Sequence, residues 1–403
     1  MNDSQDPPTI GARIRSNRRY RGMSLETLAG LTGLSKGFLS MVENGQRRMD
    51  RRSHLETVAT ALQVSITDLT GQPYAPTNPA QAQSLAAIPA IRIAILGTSF
   101  QEQPERPARP MAELRTAVDE IGIACQASEH ASYAPRLADL IEELHVHAAD
   151  PRGSDTQAAI AALVPTYRAV FVLAKDLGYV DLAWIAAERC VQGTQLLDSP
   201  EWTALGEFCR ANGLLTAGAR DRALRVAGHA ANTAAASLSH PDVMPVYGIL
   251  HLTSALAAAP GSDPRDIDAH ITEAANIAQH TGETSAFRLH FGPTNVAVWR
   301  VSIAVERGDG GKAAELARGV DPTILPSRRR RAHFYADLGR GLSQTRGKDR
   351  EALAMLREAE KLAPEQVRTN PLVREAVAVM LQRARSTAGG RDLRGLAYRM
   401  GVT

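Results

Sequence analysis

The chain has 403 residues, 44% hydrophobic and 22% charged, with 46 Lys and Arg against 43 Asp and Glu. That length predicts two or more domains, and that apolar content excludes a globally disordered chain. Residues 1–70 hold ten basic and seven acidic side chains, while the remainder is balanced at 36 of each; the pattern predicts a small basic module with an anionic partner, carried on a neutral body.

Residues 1–8 read as a disordered N-terminus, with neither the basic nor the apolar region of a secretory signal. Residues 9–71 predict five short helices. The first, over 9–21, places Ile10 and Ile14 on one face and arginines on the other, and Gly22 ends it. Ser24 caps a second helix with an apolar stripe of Leu25, Leu28 and Ala29. After Gly33, Ser35 caps a third, with Leu39 and Val42 inward and Phe38 nearby, and Asn44-Gly45 stops it. A fourth takes Leu55, Val58, Ala59 and Leu62, and a fifth Ile66 and Leu69.

The second and third helices carry the functional signal. Ala29 lets two helices approach, Gly33 accepts positive φ in the turn, and Ser35 opens the next helix. With Leu28, Leu39-Ser40, Val42, Glu43-Asn44-Gly45 and the closing Leu62-x-Val64-x-x-x-x-Leu69, this run resembles the Xre family, the lambda-repressor type of helix-turn-helix. The resemblance makes the third helix the recognition helix, with Lys36, Gly37, Ser40 and Met41 at base-reading positions. It assigns Ser24, Ser35, Asn44, Arg47, Arg48, Arg51 and Arg52 to the DNA backbone, with Arg51 entering the minor groove. It also assigns Arg18 and Glu43 to a structural ion pair. Phe38 divides between a base-contacting and a core role.

Residues 72–87, with three prolines, predict a linker. Residues 88–100 favour a helix over a strand, because no second strand-like segment exists to pair with them. From about 110 onward, helical patterns follow one another. Hairpins are predicted at 110–126/132–148, 156–176/179–197, 201–217/219–237, 242–259/264–281, 294–307/310–319, 328–344/348–362 and 371–386/391–400. Breakers such as Gly178, Gly218, Gly308 and Gly347 fall where the turns should lie. This periodicity predicts an α-solenoid over 88–403, and an all-α fold for the whole chain. Asp176-Leu-Gly-Tyr179-x-x-Leu182-Ala183 and 308–317 resemble degenerate tetratricopeptide repeats. That resemblance implies a groove lined by the first helix of each hairpin, a site for a signalling peptide or small ligand, with Asn212, Asn295 and Arg300 as candidate contacts.

Catalytic and metal chemistry find no support. No phosphate loop, HExxH or GxSxG motif occurs, and three cysteines form no CxxC pair. His145 and His147 lie on different sides of a helix, and Glu142 and Glu143 read as surface residues. The run Arg328–Arg331 reads as solvated or paired rather than as a second nucleic-acid patch. No apolar run approaches the roughly 18–20 residues that span a bilayer. The sequence therefore predicts a cytoplasmic transcriptional regulator without cofactor, metal or membrane contact. It would bind double-stranded DNA as a homodimer on an inverted repeat. Two other classes use the same motifs: a solenoid adaptor localised by DNA contact, and an antitoxin or plasmid–phage maintenance repressor.

Overall fold

The computed structural model describes residues 9–49, 51–150, 153–345, 347–384 and 390–402, so the expectation for residues 1–8 lies outside the described residues. Among the described residues, every regular element is helical. The N-terminal helices are α1 (Ile10–Tyr20), α2 (Leu25–Thr32), α3 (Lys36–Glu43), α4 (Arg52–Leu62) and α5 (Ile66–Thr70). Then come α6 (Pro79–Ala86), α7 (Ile88–Gly97), α8 (Met111–Ala127), α9 (His130–Tyr133) and α10 (Leu137–Ala148). Stacked helical pairs follow: α11 (Thr156–Leu177) with α12 (Val180–Gln195), α13 (Pro200–Thr216) with α14 (Arg220–Ala234), and α15 (Val243–Ala258) with α16 (Pro264–Thr281). The chain continues through α17 (Pro293–Glu306), α18 (Gly310–Ala317), α19 (Arg328–Gln344), α20 (Asp349–Leu362), α21 (Pro364–Thr369), α22 (Pro371–Ala384) and α23 (Arg391–Met400).

Two departures from the sequence reading have local causes. The predicted linker contains α6, because Asn78 caps it by accepting from the Gln81 N–H at 3.0 Å and Pro79 fits its first turn. Helix α11 has 22 residues and is apolar enough to cross a membrane by length and composition, which the sequence reading did not anticipate. Its Ala159, Leu163, Tyr167, Val170 and Leu173 are instead buried in the protein core. Pro165 sits inside this helix.

The chain forms two compact units. A terminal unit comprises Met1–Thr77, Val301–Gly319 and Ala332–Thr403; a central unit comprises Asn78–Arg300 and Val320–Arg331. In the terminal unit, α1–α5 close over Ile10, Ile14, Leu28, Leu39, Val42, Met49, Leu55, Val58, Leu62 and Leu69. Gly11 allows α1 to press onto the backbone of α3, since a side chain there would collide with the Val42 carbonyl. Two buried carboxylates from the later helices hold this bundle. Glu306 of α17 accepts the Arg52 N–H at 3.1 Å, at the positive end of the α4 dipole. Glu375 of α22 accepts the Ile10 N–H at 3.3 Å, at the start of α1. Glu306 is also bound by Arg340, at 3.1 Å, and Arg340 reaches Asp337 at 2.9 Å.

The central unit packs its hairpins around one large apolar cluster from Ala87 to Cys209 and a second from Val164 to Trp299. The arginine run is paired within this unit: Arg328 with Glu129 at 3.0 Å, Arg329 with Asp176 at 3.0 Å, and Arg330 with Asn295 at 2.7 Å. Asp176 also meets His130 at 3.2 Å, and Arg329 and His130 hold its carboxyl below the usual carboxylate range despite burial. His145 is fully buried against the Tyr167 hydroxyl at 2.7 Å, and burial pushes its pKa down to about 4. Glu143, read from sequence as a surface residue, is buried where the Arg109 guanidinium closes over it at 3.0 Å.

Candidate nucleic-acid interface

The geometry of α2 and α3 follows from their caps and turn. Ser24 accepts the Thr27 N–H at 3.0 Å, and Ser35 accepts the Phe38 N–H at 3.2 Å. Gly33 takes φ 67° between the helices, a conformation that favours glycine. Thr32 locks the same turn, donating to the Leu28 carbonyl at 2.7 Å and accepting from the Leu34 N–H at 3.3 Å. Leu39 and Val42 are buried, so the opposite face of α3 points outward.

That outward face carries Lys36, Gly37, Met41 and the half-buried Ser40. Met41 is 37% exposed, and no atom approaches the open side of Gly37. Lys36 rests against Glu26 at 3.1 Å, but both side chains are largely solvated. Such a pair contributes little and leaves the ammonium ready to change partners. Ser24 and Ser35 use oxygen lone pairs as caps and stay exposed beside helix N-termini, where anions are favoured. Asn44 is exposed at the end of α3 and accepts from Arg15 at 3.4 Å.

Arg18 and Glu43 form a buried two-pronged pair, with both N···O distances 2.7 Å. The third nitrogen of Arg18 donates to the Met23 carbonyl at 2.7 Å. The pair therefore fixes α3 to α1 and to the start of the helix-turn-helix. Its hydrogen bonds to Glu43 raise the Arg18 pKa above its ordinary value.

The arginines after α3 divide. Arg47 is exposed, with its guanidinium 4.9 Å from the centre of the Phe38 ring. Arg48 is only 3% exposed, which corrects its assignment to the DNA backbone. It lies close enough to Glu375 to favour that carboxylate. Arg51, assigned to the minor groove, packs its guanidinium onto Gly308. Arg52 is half-buried and its main chain is held by Glu306. Phe38 belongs to the core, edge-on to His54 with ring centroids 5.5 Å apart.

The candidate ligand residues also change role. Asn295 is 1% exposed, and its amide is fully engaged. It donates to the Leu289 and His290 carbonyls at 3.2 and 2.9 Å and accepts from Arg330. Asn212 is half-buried and donates to the Phe208 carbonyl of its own helix at 3.0 Å. Arg300 is exposed. Sequence reasoning missed the two anchoring carboxylates. Glu375 has a visible signal, since it interrupts the apolar run Leu372-Val373 and Ala376-Val377.

Comparison with known proteins places the same segment. Residues 9–70 match a family model described as a helix-turn-helix domain. The N-terminal part of the chain is thus a helix-turn-helix DNA-binding domain. No curated protein matches the sequence significantly. Among solved structures, the chain is similar to Bacillus thuringiensis PlcR, in a crystal structure with the peptide PapR7 and DNA. The identity is 12%, the match covers 68% of this chain and 95% of that one, and the TM-score is 0.29. Agreement at that level bears on neither the fold nor the partners of the present chain.

Proposed function

We propose that this protein is a cytoplasmic, sequence-specific DNA-binding transcriptional regulator. In this reading it acts as a homodimer on an inverted repeat with half-sites about one helical turn, ~34–36 Å, apart. The observation that supports it most is the solvent-facing side of α3, which carries Lys36, Gly37, Ser40 and Met41 and begins directly after the Ser35 helix cap. Lys36 is suited to donate to guanine O6 and N7, and Met41 to meet a thymine methyl. Arg47 and the two helix N-termini suit the phosphates. The balanced charge outside residues 1–70 leaves the helical body for dimerisation and for sensing a peptide or small ligand.

Selection of bound sequences from random DNA, followed by titration of the selected and a scrambled duplex across a range of salt, tests this. A regulator prefers the selected duplex by about 10³-fold or more at physiological salt. Equal affinity for both duplexes at every salt concentration would sink the reading.

A further inference from the structure

Between α16 and α17 the chain forms a strap, residues 282–292, that is irregular apart from one short turn at Ala286–Arg288. It touches the first helix of hairpin after hairpin in the central unit. Arg168 of α11 donates to the Phe287 carbonyl at 2.6 Å, and Gln126 of α8 to the Arg288 carbonyl at 3.1 Å. Asn295 of α17 donates to the next two carbonyls, Leu289 and His290. The side chains are read as well. Phe287 meets Trp202 of α13 edge-on at 5.0 Å, and Arg288 pairs with Asp119 of α8 at 2.7 Å. Phe291 is fully buried against Gly248 of α15, where any side chain would collide with its ring.

These contacts have the form of peptide recognition. Side-chain amides and a guanidinium take successive main-chain carbonyls, while pockets select the side chains between them. The strap's own backbone does not favour this shape. Phe287, Arg288 and His290 have φ of 49°, 54° and 50°, in the left-handed region that residues with side chains adopt at a cost. The contacts with the first helices hold this conformation together with the strap's own bonds, among them Thr284 N–H to the Phe291 carbonyl at 2.9 Å and Arg288 N–H to the Ser285 carbonyl at 2.8 Å.

We propose that the strap is a built-in pseudo-ligand. The surface beneath it is a binding site for an oligopeptide that presents an aromatic residue followed by a basic one, and such a peptide binds by displacing the strap. This deepens the sensing part of the function proposed above and rests on it. Because the strap is tethered, its effective concentration is high, and a free peptide competes poorly until the strap is weakened.

The test uses the full chain and a fluorescein-labelled synthetic peptide with the sequence of residues 284–291, followed by anisotropy. Replacing both strap anchors, Phe287→Ser with Arg288→Ser, is expected to tighten peptide binding by at least about tenfold over the wild type. Adding Trp202→Ala to that variant, which removes the ring that receives the aromatic side chain, is expected to remove the gain, and a scrambled peptide to bind neither protein. If the double variant fails to fold, Phe287→Ser alone makes the same comparison, since it removes the edge-on contact with Trp202 and leaves the Arg288 ion pair in place. Unchanged peptide affinity in the weakened strap, or equal binding of the scrambled peptide, overturns the proposal. DNA affinity is measured in parallel. Peptide capture that leaves DNA affinity unchanged supports the binding site and refutes the sensing role instead.

Discussion

Replacing Glu375 with Gln isolates the energetics of the buried carboxylate that holds α1. Glu375 is 5% exposed, and burial pushes its pKa up to about 7. The Ile10 and Met49 N–H groups and the charges of Arg48 and Arg13 pull the other way without overcoming burial. The folded state thus binds the proton more tightly than the unfolded chain does. Stability from this group is fully present below about pH 4.5 and is lost as pH rises through about 7. A shift of that size is worth on the order of 3 kcal/mol, at about 1.4 kcal/mol per pKa unit. Gln mimics the neutral acid and keeps an oxygen to accept the same N–H groups. The difference in urea-unfolding stability between wild type and Glu375→Gln, which cancels the other titrating groups, is expected near zero at about pH 4. It should favour the variant by up to ~3 kcal/mol at about pH 8. A wild type that gains on the variant as pH rises would refute the reasoning. It would mean that Arg48 and Arg13 stabilise a charged Glu375.

Other outcomes follow from the same packing. Glu43→Ala leaves the Arg18 guanidinium buried without its counter-charge and should cost about 3–5 kcal/mol, read as a lower unfolding midpoint. Gly11→Ala forces α1 off the Val42 carbonyl and should cost at least ~1–3 kcal/mol. Gly30→Ala, in an exposed stretch of α2 that nothing approaches, should instead stabilise by roughly 0.5–1 kcal/mol. Among the arginines, Arg47→Ala should flatten the salt dependence of DNA binding by about 0.9 in the log–log slope. Arg48→Ala should lower stability and leave that slope unchanged. Lys36→Ala should alter base preference rather than the slope.

The all-α architecture was legible because each helix carries its own signals. Ser24, Ser35, Gly33 and Gly22 set boundaries through bonds and φ values that depend on near neighbours alone. Hairpin boundaries in the body were legible for the same reason, with Gly178, Gly218, Gly308 and Gly347 all at positive φ. What stayed hidden depends on partners far away in sequence. Glu375 meets Ile10 across 365 positions, and Glu306 meets Arg52 across 254. Asn295 was singled out because its amide can hold a peptide backbone. It does hold one, but the backbone is five and six residues upstream in its own chain.

The arginine cluster shows why charge counts overstate a binding surface. Ten basic side chains fall within residues 9–52, which reads as one field. In the folded unit, Arg18 is neutralised by Glu43 and Arg48 is buried beside Glu375. Arg51 lies on the α17–α18 turn at Gly308, and Arg21 is tied to Gln63 at 3.0 Å. Of the basic residues on α3 and the loop after it, Lys36 and Arg47 are the ones classed as exposed among the described residues. Guanidinium groups spent on internal carboxylates and carbonyls fix the orientation of α3 instead of neutralising phosphates. The proposed interface therefore couples a rigid reading helix to few phosphate contacts. That combination lowers the affinity shared by all sequences more than the discrimination between them.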